Sequence, residues 1–209
     1  MAYPVIAEVL LPPAARTWYG RRRREPTDVP LARPGCAYVF KAHGEFVTYD
    51  AQRLDFGDDI VVSATAVYLV DVRPRRLPVD ITIPSALPDE DFTVRATFRC
   101  RVTDPAAAAE AGLVDLDVLL ASHLASDDML GSVGRRADVG RAHLVRRLAD
   151  ARVRALCTVA PPEAPGVEIS LVQVDVLVAD AAPPGPAAPS RRAPDDLNRV
   201  ERIGGGRVD

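Results

Sequence analysis

The sequence predicts an α+β domain, an antiparallel sheet covered by helices, on three observations. Residues Phe92 to Val102 alternate apolar and polar with the period of a half-buried strand. After Asp104-Pro105 the apolar period lengthens to that of helices. From Val167 to Val178 the pattern returns to a strand. Strands first, then helices, then one closing strand is the order of a layer in which helices cover one sheet face.

Taken in order, residues 1–37 hold Pro4, Pro12, Pro13, Pro26, Pro30 and Pro34 and read as an N-terminal arm outside the core. Tyr38 to Phe40 and Glu45 to Thr48 read as strands joined at Ala42-His43-Gly44, where the glycine can take a positive φ. From Ile60 to Val72, the residues Val62, Ala64, Ala66, Tyr68, Val70 and Val72 share one face of a long half-buried strand. In the clearest strand, Phe92, Val94, Ala96, Phe98, Cys100 and Val102 face the core, and Arg95, Arg99 and Arg101 face outward.

Ala106 to Ala111 reads as a short helix ended by Gly112, and Leu113, Leu116, Leu119, Leu120 and Leu124 recur at helical spacing. A longer helix runs from about Val139 to Val159, with Leu144, Val145, Leu148, Ala149, Ala151, Val153, Ala155, Leu156 and Val159 in one broad apolar arc. Arg152 falls inside that arc and is expected either to snorkel to its edge, the favoured reading, or to have a carboxylate partner. Pro161 and Pro162 stop the helix. Two adjacent apolar residues, Leu171 and Val172, break the phase of the last strand and predict a bulge. The domain is bounded at 38–180. Residues 181–209, rich in proline and glycine, read as a disordered tail.

Composition excludes several function classes. Aromatics make up 5% of the chain, too few for a base-stacking or carbohydrate platform, and the net charge of −3 gives no global attraction to nucleic acid. The 3 cysteines, Cys36, Cys100 and Cys157, are odd in number and far apart, which fits a reducing compartment and leaves no CxxC pair for zinc. No HExxH, GxSxG or Walker pattern is present, so neither an enzyme nor a cofactor is expected. The longest apolar run, Ile60 to Val70, is shorter than the roughly 20 residues of a membrane-spanning helix. Met1 to Leu11 has neither a basic n-region nor a small-residue cleavage site, so export is not expected.

The stretch Val67 to Pro105 resembles the SPFH family (stomatin, prohibitin, flotillin and HflK/C), also called band 7. The resemblance rests on Asp71-Val72-Arg73, the short strand Leu77 to Ile83, Asp91 to Val94 and the exit Val102-Thr103-Asp104-Pro105, with Gly166-Val167-Glu168-Ile169 looking like the closing strand. It covers about Tyr38 to Val178. It implies a non-enzymatic scaffold that forms homo-oligomers and organises partner proteins at or near the cytoplasmic face of a membrane. The family's hydrophobic anchor and Ala/Glu-rich coiled coil are not found in this sequence, so a monomeric protein-binding adaptor with the same fold is the alternative, and a cysteine-dependent enzyme a remote one.

Two surface sites follow. Arg95, Arg99 and Arg101 form an outward stripe suited to an acidic protein surface, with Asp89, Glu90 and Asp91 as possible partners within the chain or across copies; a solvated face is the bland alternative. Trp18, Tyr19, Arg21, Arg22, Arg23 and Arg24 form a candidate contact with an anionic membrane, weak and salt-sensitive, against the bland reading of a solvated linker.

Overall fold

The computed structural model describes residues 2–16, 18, 20–51, 53–87 and 90–178. The tail expected at 181–209 lies outside the described residues. The fold is α+β, and where the sequence suggested one sheet the described residues form a four-stranded and a three-stranded antiparallel sheet and a two-stranded ribbon.

The first sheet has the order β1-β6-β4-β5, from β1 (Val5–Leu10), β4 (Cys36–Ala42), β5 (Glu45–Asp50) and β6 (Ala66–Asp71). A separate ribbon pairs β2 (Ala15–Arg16) with β3 (Arg22–Arg23). The expected hairpin is present: β4 and β5 join through His43 and Gly44, both at positive φ (55° and 88°), as a tight two-residue turn demands.

Two readings of this half are corrected. The expected arm is part of the fold, because β1 adds an edge to β6 and buries Tyr3 and Val5 in the core. Tyr3 donates its hydroxyl to the carbonyls of Cys100 (3.3 Å) and Arg73 (3.4 Å), fastening the start of the chain to the second sheet. The expected long strand Ile60 to Val72 is broken. Asp58 caps a short helix, α1 (Asp59–Ser63), by accepting from the Ile60 amide at 2.9 Å, and its carboxylate also receives the Tyr49 hydroxyl at 2.8 Å. What remains as strand, β6, is buried at every position because both faces of the sheet are covered. Val67 and Leu69 face a cluster with Tyr38, Phe40 and Val61, while Ala66, Tyr68 and Val70 face the main core.

The second sheet has the order β7-β8-β9, from β7 (Arg75–Pro84), β8 (Asp91–Val102) and β9 (Val167–Val178). Phe92, Val94, Ala96, Phe98, Cys100 and Val102 are all buried, as their alternation predicts. The bulge is where the phase break put it: Phe98 pairs with Leu171 and Thr97 with Gln173, leaving Val172 as the extra residue. Between β8 and β9 come α2 (Pro105–Glu110), α3 (Leu116–Ala125), α4 (Asp128–Gly134) and α5 (Ala142–Val159). Helices α3 and α4 pack on β7, and α5 packs on β9 and β8, covering the inner face of this sheet.

The turn into α2 and the turn into β9 hold each other. Asp104 caps α2 at the Ala106 and Ala107 amides, while the amides of Thr103 and Asp104 donate to the Gly166 carbonyl. A Cβ on Gly166, at φ +70°, would stand 2.1 Å from the Asp104 carbonyl oxygen, so only glycine fits.

Arg152 takes the carboxylate option, and with its side chain 40% exposed it also reaches the edge of the arc. Its guanidinium meets Asp127, the cap of α4, through two hydrogen bonds of 2.6 and 2.9 Å. Asp127 thus serves both as a helix boundary and as an ion-pair partner.

Candidate functional site

Among the described residues the outer face of β7-β8-β9 carries no helix, and its residues alternate outward with those of the core: Arg76, Pro78, Asp80 and Thr82 from β7, Arg95, Arg99 and Arg101 from β8. This face divides into a neutralised half and a basic half.

In the neutralised half, Arg95 lies between Asp80 and Asp175 in the register. It grips Asp80 through two hydrogen bonds of 2.7 Å, which hold the Asp80 carboxyl below the usual carboxylate range. Asp175 accepts from Arg146 of α5 at 2.7 Å and from Gln173 at 2.6 Å. Arg95 therefore has its partner within the chain, and that partner is Asp80, not the Asp89 to Asp91 segment. Asp89 lies outside the described residues.

In the basic half, Arg76 stands opposite Arg99, which stands opposite Ser170, and Arg101 stands opposite Glu168. Arg99, Arg101, Glu168 and Ser170 line a shallow cleft of about 230 Å³. Among the described residues none of these charged groups has an ion-pair partner within 4.0 Å. Like charges placed directly opposite on a sheet repel, so folding gains nothing from facing Arg76 with Arg99. Arg76 was not singled out from sequence. Its signal was there, in the parity of Leu77, Val79, Ile81 and Ile83, which puts Arg76 on the same face as Arg99.

Next to this half, the buried Asp71 organises the turn between the sheets. Its carboxylate accepts from Arg73 Nε and Nη2 (both 2.9 Å), from the Arg73 amide (3.1 Å) and from Arg75 Nε (2.9 Å). Burial by itself would raise its pKa, but the hydrogen bonds from the two arginines outweigh burial and take it down to about 2. Gly35 leaves room for this arrangement, since a Cβ there would stand 2.5 Å from the Arg73 side chain. Asp71 thus fixes Arg73 and Arg75 while leaving Arg76, Arg99 and Arg101 uncommitted.

The second candidate site is partly corrected. Trp18 is 89% exposed in the segment joining β2 to β3, and Arg21, Arg22 and Arg23 are exposed beside it. Tyr19 lies outside the described residues. Arg24 cannot contact a membrane surface because it is 1% exposed. Its guanidinium donates to the carbonyls of Val61 (2.8 Å), Val62 (3.2 Å), Ala64 (2.8 Å) and Pro12 (2.9 Å), closing the end of α1.

The thiols are poorly disposed to act as nucleophiles. Burial pushes Cys100 up to about 11, and it raises Cys36 and Cys157 as well. No group of three or more His, Cys, Asp or Glu among the described residues is arranged to hold a metal ion. No helix among them is long and apolar enough to cross a membrane. No protein-family model matches the chain, and no curated protein sequence matches it either.

Proposed function

We propose that this chain is a non-enzymatic, SPFH-like scaffold domain that works by binding proteins, and that the basic half of its open sheet face is the docking surface. The observation that carries this reading is the row Arg76, Arg99 and Ser170 with Arg101 beside it. It gathers three guanidinium groups against one carboxylate, Glu168, on a face that no element among the described residues covers. Such a surface favours an acidic protein patch and repels a basic one. The raised thiol pKa values support binding over cysteine chemistry.

Two observations favour contact through the face over strand addition at the edges. Pro78 and Pro84 interrupt the donors of β7, and the Val172 bulge distorts β9. The acidic surface belongs either to a neighbouring copy, making the scaffold a homo-oligomer, or to a partner protein bound by a monomeric adaptor at the cytoplasmic membrane face. The ribbon arginines Arg21, Arg22 and Arg23 with Trp18 would add a weak, salt-sensitive lipid contact.

Light scattering on the wild type and on Arg99→Glu tests the reading. A homo-oligomer that loses mass on this charge reversal, with its fold intact, supports the scaffold. A monomer whose partner capture is lost on Arg99→Glu supports the adaptor. Unchanged mass and unchanged capture would overturn the assignment of this face.

A further inference from the structure

The ribbon β2-β3, the turn at His43-Gly44 and α1 border a cavity of about 570 Å³ that the docking face does not use. Arg21 and Arg22 line it from the ribbon, His43 from the turn, and Asp59, Val62 and Ser63 from α1. The walls are tied to one another. Arg24 donates its amide to the Phe56 carbonyl (3.0 Å) and its guanidinium to those of Val61 and Val62, which locks the ribbon onto the segment that carries Asp59 and Ser63. The Thr65 amide donates to the Lys41 carbonyl (2.8 Å) and joins the exit of α1 to the strand that leads into His43. Other residues therefore do the fastening. Among the described residues the side chains of Arg22, His43 and Asp59 make no hydrogen bond or ion pair.

The lining selects a class of ligand. Val62 is its one apolar side chain among the described residues, and no aromatic ring is present there, which disfavours an apolar ligand or a stacked base. Two guanidinium groups against one carboxylate favour an anion, and their planar forks match the oxygens of a phosphate. A bare phosphate does not account for the rest, because Asp59 repels it and it leaves most of the volume unfilled. A carboxylate does accept hydrogen bonds from neutral hydroxyls, and Ser63, whose own hydroxyl donates to the Ile60 carbonyl, keeps its lone pairs for the same use. The turn alone does not call for His43, since its left-handed φ favours Asn or Gly.

We infer that this cavity binds a phosphate ester of a polyol, with Arg21 and Arg22 taking the phosphate and Asp59 and Ser63 the hydroxyls. The inference uses none of the docking face on the second sheet. It also differs from the weak lipid contact of the ribbon, which responds to charge alone, because it requires the hydroxyls.

Isothermal titration calorimetry on the full chain, with myo-inositol 1-phosphate, sn-glycerol 3-phosphate, inorganic phosphate and myo-inositol, tests it. At least one of the two esters is expected to bind at least about tenfold more tightly than inorganic phosphate or inositol. Arg22→Met is expected to weaken that ester about 10- to 100-fold, the worth of a hydrogen bond between charged groups. Asp59→Asn is expected to weaken the ester but not inorganic phosphate. Both positions are exposed, so the thermal midpoint is expected to stay in place. Sedimentation with phosphatidylcholine vesicles that contain phosphatidylinositol or, at equal charge, phosphatidylserine separates the sources of the ester. A preference for phosphatidylinositol that Asp59→Asn abolishes assigns it to a lipid headgroup, and ester binding without that preference assigns it to a soluble polyol phosphate. Inorganic phosphate bound as tightly as both esters, or ester binding unchanged by either variant, would overturn the inference. Equal sedimentation with both lipids and no binding of either ester would leave only the charge contact of the ribbon, and would overturn it as well.

Discussion

Arg76 of β7 and Arg99 of β8 face each other across the sheet on its open side, with no carboxylate within ion-pair distance of either among the described residues. One residue before Arg76, Arg75 shares the Asp71 carboxylate with Arg73, so the region is not short of pairing geometry. The repulsion between Arg76 and Arg99 is a local cost that the fold tolerates. Arg76→Glu turns it into an attractive cross-strand pair. It is expected to stabilise the domain by about 0.2–1 kcal/mol, a rise of roughly 1–3 °C in thermal midpoint, while weakening capture of an acidic partner. A lowered midpoint in differential scanning calorimetry would show that these side chains do not meet.

Phe98 is fully buried under the helical layer, whereas Arg99 beside it points outward. Phe98→Ala is expected to cost about 3–5 kcal/mol through lost burial and the cavity left behind. Arg99→Glu should stay within about 0.5 kcal/mol of the wild type. Urea denaturation of the two variants checks both values.

The acid limb of stability should depend on Asp71. Its folded pKa is about 2, below the roughly 3.9 of an unfolded aspartate, so its contribution is present above pH 4 and is lost as pH falls from about 4 to about 2. The amount is roughly 2 kcal/mol. Asp58, Asp80 and Asp127 are also held low by hydrogen bonds and act in the same direction. Asp71→Asn is therefore expected to lower stability at pH 7 and to flatten, without removing, the loss below pH 4. Urea midpoints of both proteins at pH 5 and pH 2.5 measure this; parallel acid limbs would refute it.

Arg24 is a structural residue on its geometry. Arg24→Met keeps the apolar stem but leaves the carbonyls of Val61, Val62, Ala64 and Pro12 without their donor. The expected cost is about 3 kcal/mol. Arg22→Met, at an exposed position in the ribbon, is expected to leave the urea midpoint unchanged and to act on phosphate-ester binding and on vesicle binding at low salt.

Where a pattern is strictly local, the sequence was sufficient. The facing of β8, the turn at His43-Gly44, the Val172 bulge and the Asp104-Pro105 exit into α2 all follow from residue type and parity within a few positions. The strand Val5–Leu10 was hidden because its partner β6 lies about 60 residues away and the prolines around it suggest an arm. Helix α1 was hidden because Val62, Ala64 and Ala66 mimic strand alternation, while the cap at Asp58 decides the conformation.

The candidate sites divide in the same way. That Arg95, Arg99 and Arg101 point outward was determined by the sequence, since a strand of period two leaves no other choice once Phe98 and Cys100 are buried. Which of them is neutralised was decided only by the pairing of β8 with β7 and β9, which sets Asp80 beside Arg95 but Arg76 beside Arg99. The sequence likewise determined that α5 is apolar over a wide arc. Only the tertiary structure decided which half of that arc is core, because a helix of uniform periodicity carries no mark of which side its neighbours occupy. Ion pairs such as Arg152 with Asp127 and cradles such as that of Arg24 belong to the same class. They join residues separated by tens of positions, and their partners exist only once the chain has closed on itself.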